Sequence, residues 1–233
     1  MPYVVQVEFR TPSSFLVAYS VNLSRGGLFV ETDADVPVGA GMTVELAIPN
    51  AGTIELDGIV AWRRVAEQGM DAPPGLGVEF QDVAPQLGAL IDKLVGGFRG
   101  VQILLLSGDR QDRTTLARNI KSIISTAEIT QAANAQVAAT VLTAEVDLAI
   151  VDVDFDAEGG LATLRAAKQQ QPPVPTIALT QSPAYREQAA AAGADELLAN
   201  PPPFADLQVV LVRALGKPLA VRQVAVPSVD VDV

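Results

Sequence analysis

Four carboxylates follow an apolar run in the stretch DLAIVDVDFDAEGGL: Asp152, Asp154, Asp156 and Glu158. Oxygen ligands at this density suit three tasks: holding a hard cation, accepting a phosphoryl group, or solvating a loop. Asp152, Asp154 and Asp156 meet the D-x-D-x-D start of a calcium loop. Such a loop needs Gly at its sixth position and Glu at its twelfth, and here those are Ala157 and Thr163. The flanking patterns are strand and helix rather than two helices, so calcium is disfavoured and no metal ligand is assigned. Asp154, Asp156 and Glu158 read as a solvated loop lending negative charge to the start of the next helix.

The rest of the composition narrows the chemistry. The chain has 233 residues with no Cys and no His. That removes thiolate nucleophiles, imidazole bases, disulfides and most zinc or haem sites together. No nucleophile–base pair is visible, so an enzyme is not expected and no catalytic residue or cofactor is assigned. The formal charge is −11, and the deficit is shared: residues 1–99 carry 6 Lys and Arg against 12 Asp and Glu, residues 100–233 carry 10 against 15. Neither half is a basic reader of phosphates, so no nucleic-acid partner is expected. No apolar run reaches 18 residues and no cationic apolar leader begins the sequence, which predicts no membrane insertion and a cytoplasmic protein.

Two kinds of periodicity divide the chain. In VVQVEF and GMTVELAI apolar and polar residues alternate, the mark of half-buried antiparallel strands. Further strands are predicted at 15–23, 27–31, 53–62 and 77–80, and the six together suggest a small barrel or sandwich. Leu87, Leu90, Ile91 and Leu94 then fall at helical spacing, and Gly96 and Gly97 end that helix. From Val101 onward, apolar runs (VQILLL, AEIT, VDLAIV, PTIAL, ELLA) alternate with helical stretches around 112–125, 135–145, 160–169, 184–192 and 204–215. Five strand–helix units imply a parallel sheet covered on both faces. Ser182 before Pro183, and Asn134, are helix N-cap signals. The segment VAVPSVDVDV lacks helical period and reads as a mobile terminus or an added edge strand.

In such a sheet ligands sit at the carboxyl ends of the strands. Those ends carry Ser107, Gly108 and Asp109, then Asp152, Thr180 and Asn200. Their order and spacing resemble the receiver domain of bacterial response regulators over about residues 101–215, a doubly wound, flavodoxin-like (βα)5 fold. The resemblance puts Asp152 at the phospho-acceptor position, Thr180 at the switch hydroxyl and Gly160 at the usual glycine of DLAIVDVDFDAEGGL. AAAAGADELLANPPPF matches the Gly-Ala-Asp stretch that leads to a Lys-Pro pair. It implies Mg²⁺ held by an acidic pair where Ser107 and Gly108 stand, with Asp109 one residue late, a lysine where Asn200 stands and an aromatic where Leu197 stands. Removing one positioned electrostatic group typically costs about 10²–10³ in rate, so a pseudo-receiver that is not phosphorylated is expected.

The N-terminal half carries YSVNLSRGGLFVET, IELDGIVAWRR and GLGVEFQDV. These resemble the PilZ domain, a six-stranded barrel with a C-terminal helix, over about residues 3–98, with details similar to PilZ paralogues of myxobacteria and other delta-proteobacteria. Asn22, Ser24 and Gly27 fit that family's Asn/Asp-x-Ser-x-x-Gly motif, which implies a cyclic di-GMP site beside Arg25. The Arg-x-x-x-Arg motif that grips the ligand's phosphates is missing: only Met1 and Pro2 precede the first strand, and Arg10 stands alone near its far end. Arg25, Arg63 and Arg64 are the remaining candidates for an anion site. A turn that uses Asn, Ser and Gly for its backbone geometry explains 22–27 equally and is preferred.

The expected architecture is therefore a PilZ-like barrel over 1–98, a pseudo-receiver over 99–216 and a tail over 217–233. The expected function is a signalling adaptor working through protein partners, with surface motility, type IV pili or cell polarity suggested by resemblance. A cyclic di-GMP effector, or a response regulator phosphorylated on Asp152, is the alternative. A homodimer through the last receiver helix and strand is a further expectation.

Overall fold

The computed structural model describes residues 3–21, 26–65, 74–81 and 85–224. Its elements run, in chain order, β1 (Tyr3–Glu8), α1 (Pro12–Val21), β2 (Gly27–Glu31), β3 (Gly41–Ile48), β4 (Gly52–Arg64), β5 (Gly75–Phe80) and α2 (Pro85–Gly96). There follow β6 (Val101–Leu106), α3 (Arg110–Ile123), β7 (Ala127–Ala132), α4 (Ala135–Val141), β8 (Leu148–Asp152), α5 (Ala157–Gln169), β9 (Thr176–Leu179), α6 (Pro183–Ala191), β10 (Glu196–Leu198), α7 (Phe204–Gly216) and β11 (Ala220–Val224). The described residues up to Phe98, joined by those from Pro218 onward, form one compact unit, and Arg99–Lys217 form the second.

The first unit is a six-stranded sheet in the order β11-β1-β3-β4-β5-β2, antiparallel except for β1 against β3. Alternation along the strands sends Val5, Val7, Val44, Leu46, Leu56, Val60, Leu76 and Val78 into one core, where Leu87, Leu90 and Leu94 of α2 join them. On β4 and β5, register shifts between Val60 and Trp62, and the Trp62 ring lies flat over Gly77, whose missing Cβ would sit 2.2 Å from it. Phe29 stacks on Trp62 with ring centroids 5.3 Å apart, and the Arg64 guanidinium lies 4.3 Å over the Phe29 ring.

Two expectations for this half need correction. The strand predicted at 15–23 is the helix α1 over its described part, Pro12–Val21. Its start is a reciprocal cap: the Ser14 N–H donates to Thr11 Oγ1 and the Thr11 N–H to Ser14 Oγ, each at 3.1 Å, with Pro12 at the first helical position. PSSFLVAYSV is apolar nearly all round, so no helical period shows; Phe15 and Ala18 are buried, and the Phe15 ring packs edge-on to Phe9 at 5.3 Å. The sixth strand comes instead from 220–224, within the span 217–233 set apart as a tail; beyond Val224, the segment VAVPSVDVDV, read as a mobile terminus or an added edge strand, lies outside the described residues. β11 pairs antiparallel with β1, from Val4 opposite Val224 to Glu8 opposite Ala220.

The second unit is a parallel sheet in the order β10-β9-β8-β6-β7. Every residue of β8 and β9 is buried, as continuous apolar runs covered on both faces must be. Ser182 caps α6 with Pro183 behind it, and Asn134 caps α4 through a bond from the Val137 N–H.

Candidate functional site

The strand order reverses between β6 and β8, so the crevice at their carboxyl ends is where this fold presents side chains to a ligand. β6 delivers Ser107 just past its end and β8 delivers Asp152 as its last residue, both buried, at 3% and 6% exposure. The Ser107 hydroxyl donates to Asp152 Oδ2 at 2.9 Å. The Asp154 N–H donates to Asp152 Oδ1 at 3.0 Å, and Asn200 Nδ2, from the loop after β10, donates to the same oxygen at 2.9 Å. Both carboxylate oxygens are thus engaged by neutral donors. Burial pushes the Asp152 carboxyl above its ordinary range; the Ser107 hydroxyl and neighbouring backbone N–H groups pull it back down, and the Asp154 charge adds to the rise.

Asp154 is exposed, yet it is not a free loop charge. It accepts from the Thr180 hydroxyl on one oxygen, and from the Gln181 N–H at 2.9 Å and Asn200 Nδ2 at 3.4 Å on the other. It therefore ties the ends of β8, β9 and β10 together. Asp156 caps α5 by accepting the Gly159 N–H at 3.0 Å. Asp109 caps α3, accepting from the N–H groups of Gln111 and Asp112 at 2.7 and 2.9 Å. Gly160 faces the exit of β8, where a Cβ would come within 2.9 Å of Val153 Cγ1. Leu197 packs against the hydrophobic core of the unit.

Three participants carried no signal as isolated residues. Arg113 donates to the Ser107 and Gly108 carbonyls at 2.5 and 2.9 Å and so holds the loop after β6. Phe155, 67% exposed, lays its ring over Gly108; a Cβ there would stand 1.9 Å from a ring carbon. Gln181 donates its side-chain amide to the Asn200 carbonyl. An apolar residue set among four carboxylates was the one available hint, for Phe155.

Mg²⁺ takes octahedral oxygen ligands and is commonly held by carboxylates. Ser107 and Gly108 contribute no carboxylate, Asp109 is turned to its helix, and Asp154 is committed to Thr180, Gln181 and Asn200. Among the described residues no group of three or more acidic side chains could hold an ion. The residues around Asp152 do not fit the ion.

In the first unit, Asn22, Ser24 and Arg25 lie outside the described residues. Gly27 opens β2 pressed against β5, where a Cβ would be 2.6 Å from the Val78 carbonyl oxygen, and Gly26 before it has φ of 82°. Arg10 is buried, at 5% exposure. Among the described residues, Arg63 is engaged with Asp35 and Arg64 with Phe29.

Comparison with known proteins agrees with the two architectures. The PilZ domain family model matches residues 1–97, and the response regulator receiver domain model matches residues 105–211. The receiver domain of a sensor histidine kinase from Pseudomonas aeruginosa, solved with magnesium in its active-site cleft, is 27% identical. It covers 51% of this chain and 99% of its own, at a TM-score of 0.45. A receiver domain of a DNA-binding response regulator from Colwellia psychrerythraea is 20% identical, covering 47% of this chain and 94% of its own at 0.43. No match was found among curated proteins. The chain is a PilZ domain fused to a response regulator receiver domain. Both are signalling domains, and no described helix is long and apolar enough to cross a membrane.

Proposed function

We propose that this chain is a non-enzymatic signalling adaptor whose receiver works as a protein-binding surface, without phosphoryl transfer. The observation that carries the proposal is the bonding of Asp152. Its oxygens are held by Ser107, Asn200 and the Asp154 N–H where a receiver that transfers phosphoryl groups would place a metal and a cation. An in-line attack needs a free, charged carboxylate and positive charge on the transferred oxygens. Here the carboxylate is buried and faced by an amide and a hydroxyl, with no cation against it among the described residues. The partners are proteins of a bacterial pathway, with surface motility, type IV pili or polarity as the setting suggested by resemblance. Incubating the full chain with Mg²⁺ and acetyl phosphate tests the proposal by intact mass. No phosphoryl gain is expected, and an Asp152-dependent gain of one group would overturn it.

Cyclic di-GMP binding through the PilZ domain is the second reading, favoured by the family match and the Asn22, Ser24 and Gly27 pattern. Against it stand the burial of Arg10 and the pairing of Arg63 with Asp35. Calorimetric titration decides: micromolar or tighter binding, abolished by Arg25→Ala or Arg63→Ala, would establish an effector, and its absence supports the adaptor.

A further inference from the structure

The PilZ sheet is not complete at the end of the PilZ match. Its edge strand β11 comes from residues 220–224, beyond the whole receiver, and lies antiparallel along β1 over five residue pairs. The Leu219 N–H extends the ladder to the Glu8 carbonyl at 2.7 Å, and Val221 packs against the core of the first unit. β1 pairs on its other side with β3, so without this segment its outer N–H and C=O groups would form an open edge, the template on which extended peptides add as strands. Only Lys217, Pro218 and Leu219 separate β11 from α7, whose Leu207, Leu211 and Leu215 are buried in the receiver core. α7 in turn begins four residues after Asn200, the amide that holds Asp152.

We infer that the β1 edge is a binding site for an extended peptide segment, that its resident ligand is this chain's own residues 220–224, and that α7 holds this ligand in place. A tether of three residues keeps the local concentration of the segment high while α7 is folded. When α7 opens, the tether lengthens by up to the length of the helix and that concentration falls. The receiver's last helix thereby sets how firmly the PilZ edge is closed. This reaches beyond the adaptor proposal, because it concerns the other domain's edge and stands whether or not Asp152 is phosphorylated.

The test uses the full chain and a fluorescein-labelled peptide of residues 218–224, PLAVRQV. Val221→Asp puts a carboxylate against the core, and Arg222→Pro removes a backbone donor from the strand. With either substitution, amide exchange in β1 should accelerate at least tenfold while β4 and β5 keep their protection. The peptide should bind the variant chain, and a scrambled peptide should not. The unaltered chain should take up at least tenfold less peptide. Unchanged β1 exchange in both variants, or equal uptake by the unaltered chain, would overturn the site. Leu211→Ala reads the coupling: exchange in 220–224 should rise at least tenfold with β4 and β5 unmoved. If α7 exchange rises while 220–224 stays protected, the hold by α7 is overturned.

Discussion

Burial raises the Asp152 carboxyl above its ordinary range in spite of the donors that face it, and the consequence for stability has a defined sign. The folded state binds the proton more tightly than the unfolded chain, so the group's stabilising contribution is present below the unfolded pKa, about 3.9. It is lost as pH rises through the raised folded value. Asp152→Asn replaces the charge with an amide that can donate to Ser107 and still accept from Asn200 and the Asp154 N–H. The variant should be more stable than the parent at pH 7, readable as a higher melting temperature. That gain should shrink toward zero as pH falls to about 4; thermal melts at both pH values check it. Asn200→Ala moves the other way. It strips a donor from Asp152 and another from Asp154, and should cost about 1.5–3 kcal/mol at pH 7 in urea unfolding. The role of Asp154 could not be read from its neighbours in sequence, because the Thr180 and Gln181 groups that occupy it lie 26 and 27 residues away.

At the level of elements, legibility followed the contrast between the two faces of each segment. β6, β8 and β9 were plain because strands covered on both sides are continuous apolar runs. The helices α4 and α6 were plain because Asn134 and Ser182 announce their starts. α1 was obscured by the same rule: a helix of apolar residues and serines has no contrast, FLVAYSV looks β-forming, and the Thr11–Ser14 exchange over Pro12 that starts it is seen only in the structure. Thr11→Ala removes that cap and should cost about 1 kcal/mol of the first unit's stability. Gly27→Ala sets a Cβ against the Val78 carbonyl, a backbone atom that cannot swing aside. A cost of about 1–3 kcal/mol is expected there, readable as a lower denaturation midpoint of the PilZ unit. A neutral outcome would show that Gly27 is not required by β-sheet packing and would move the motif back toward ligand binding.

At the scale of the whole molecule, an order of domains along the sequence is not the same as an order of folds in space. The composition shift near residue 99 is visible because strand periodicity gives way to strand–helix alternation, but the return of residues 220–224 to the first sheet leaves no mark that a five-residue strand could carry alone. The receiver is thus bracketed in sequence by parts of the PilZ unit, and the function proposed for it is one of contacts rather than chemistry. That claim rests on Ser107, Gly108 and Asn200 standing where charge would be needed. Restoring the charges is the most direct test: the full chain and a Ser107→Asp, Gly108→Asp, Asn200→Lys variant, whose new side chain at 108 displaces the exposed Phe155 ring, are each incubated with Mg²⁺ and acetyl phosphate and weighed intact. The restored variant should gain one phosphoryl group on Asp152 and the unaltered chain none. A phosphoryl group on Asp152 of the unaltered chain would contradict that claim.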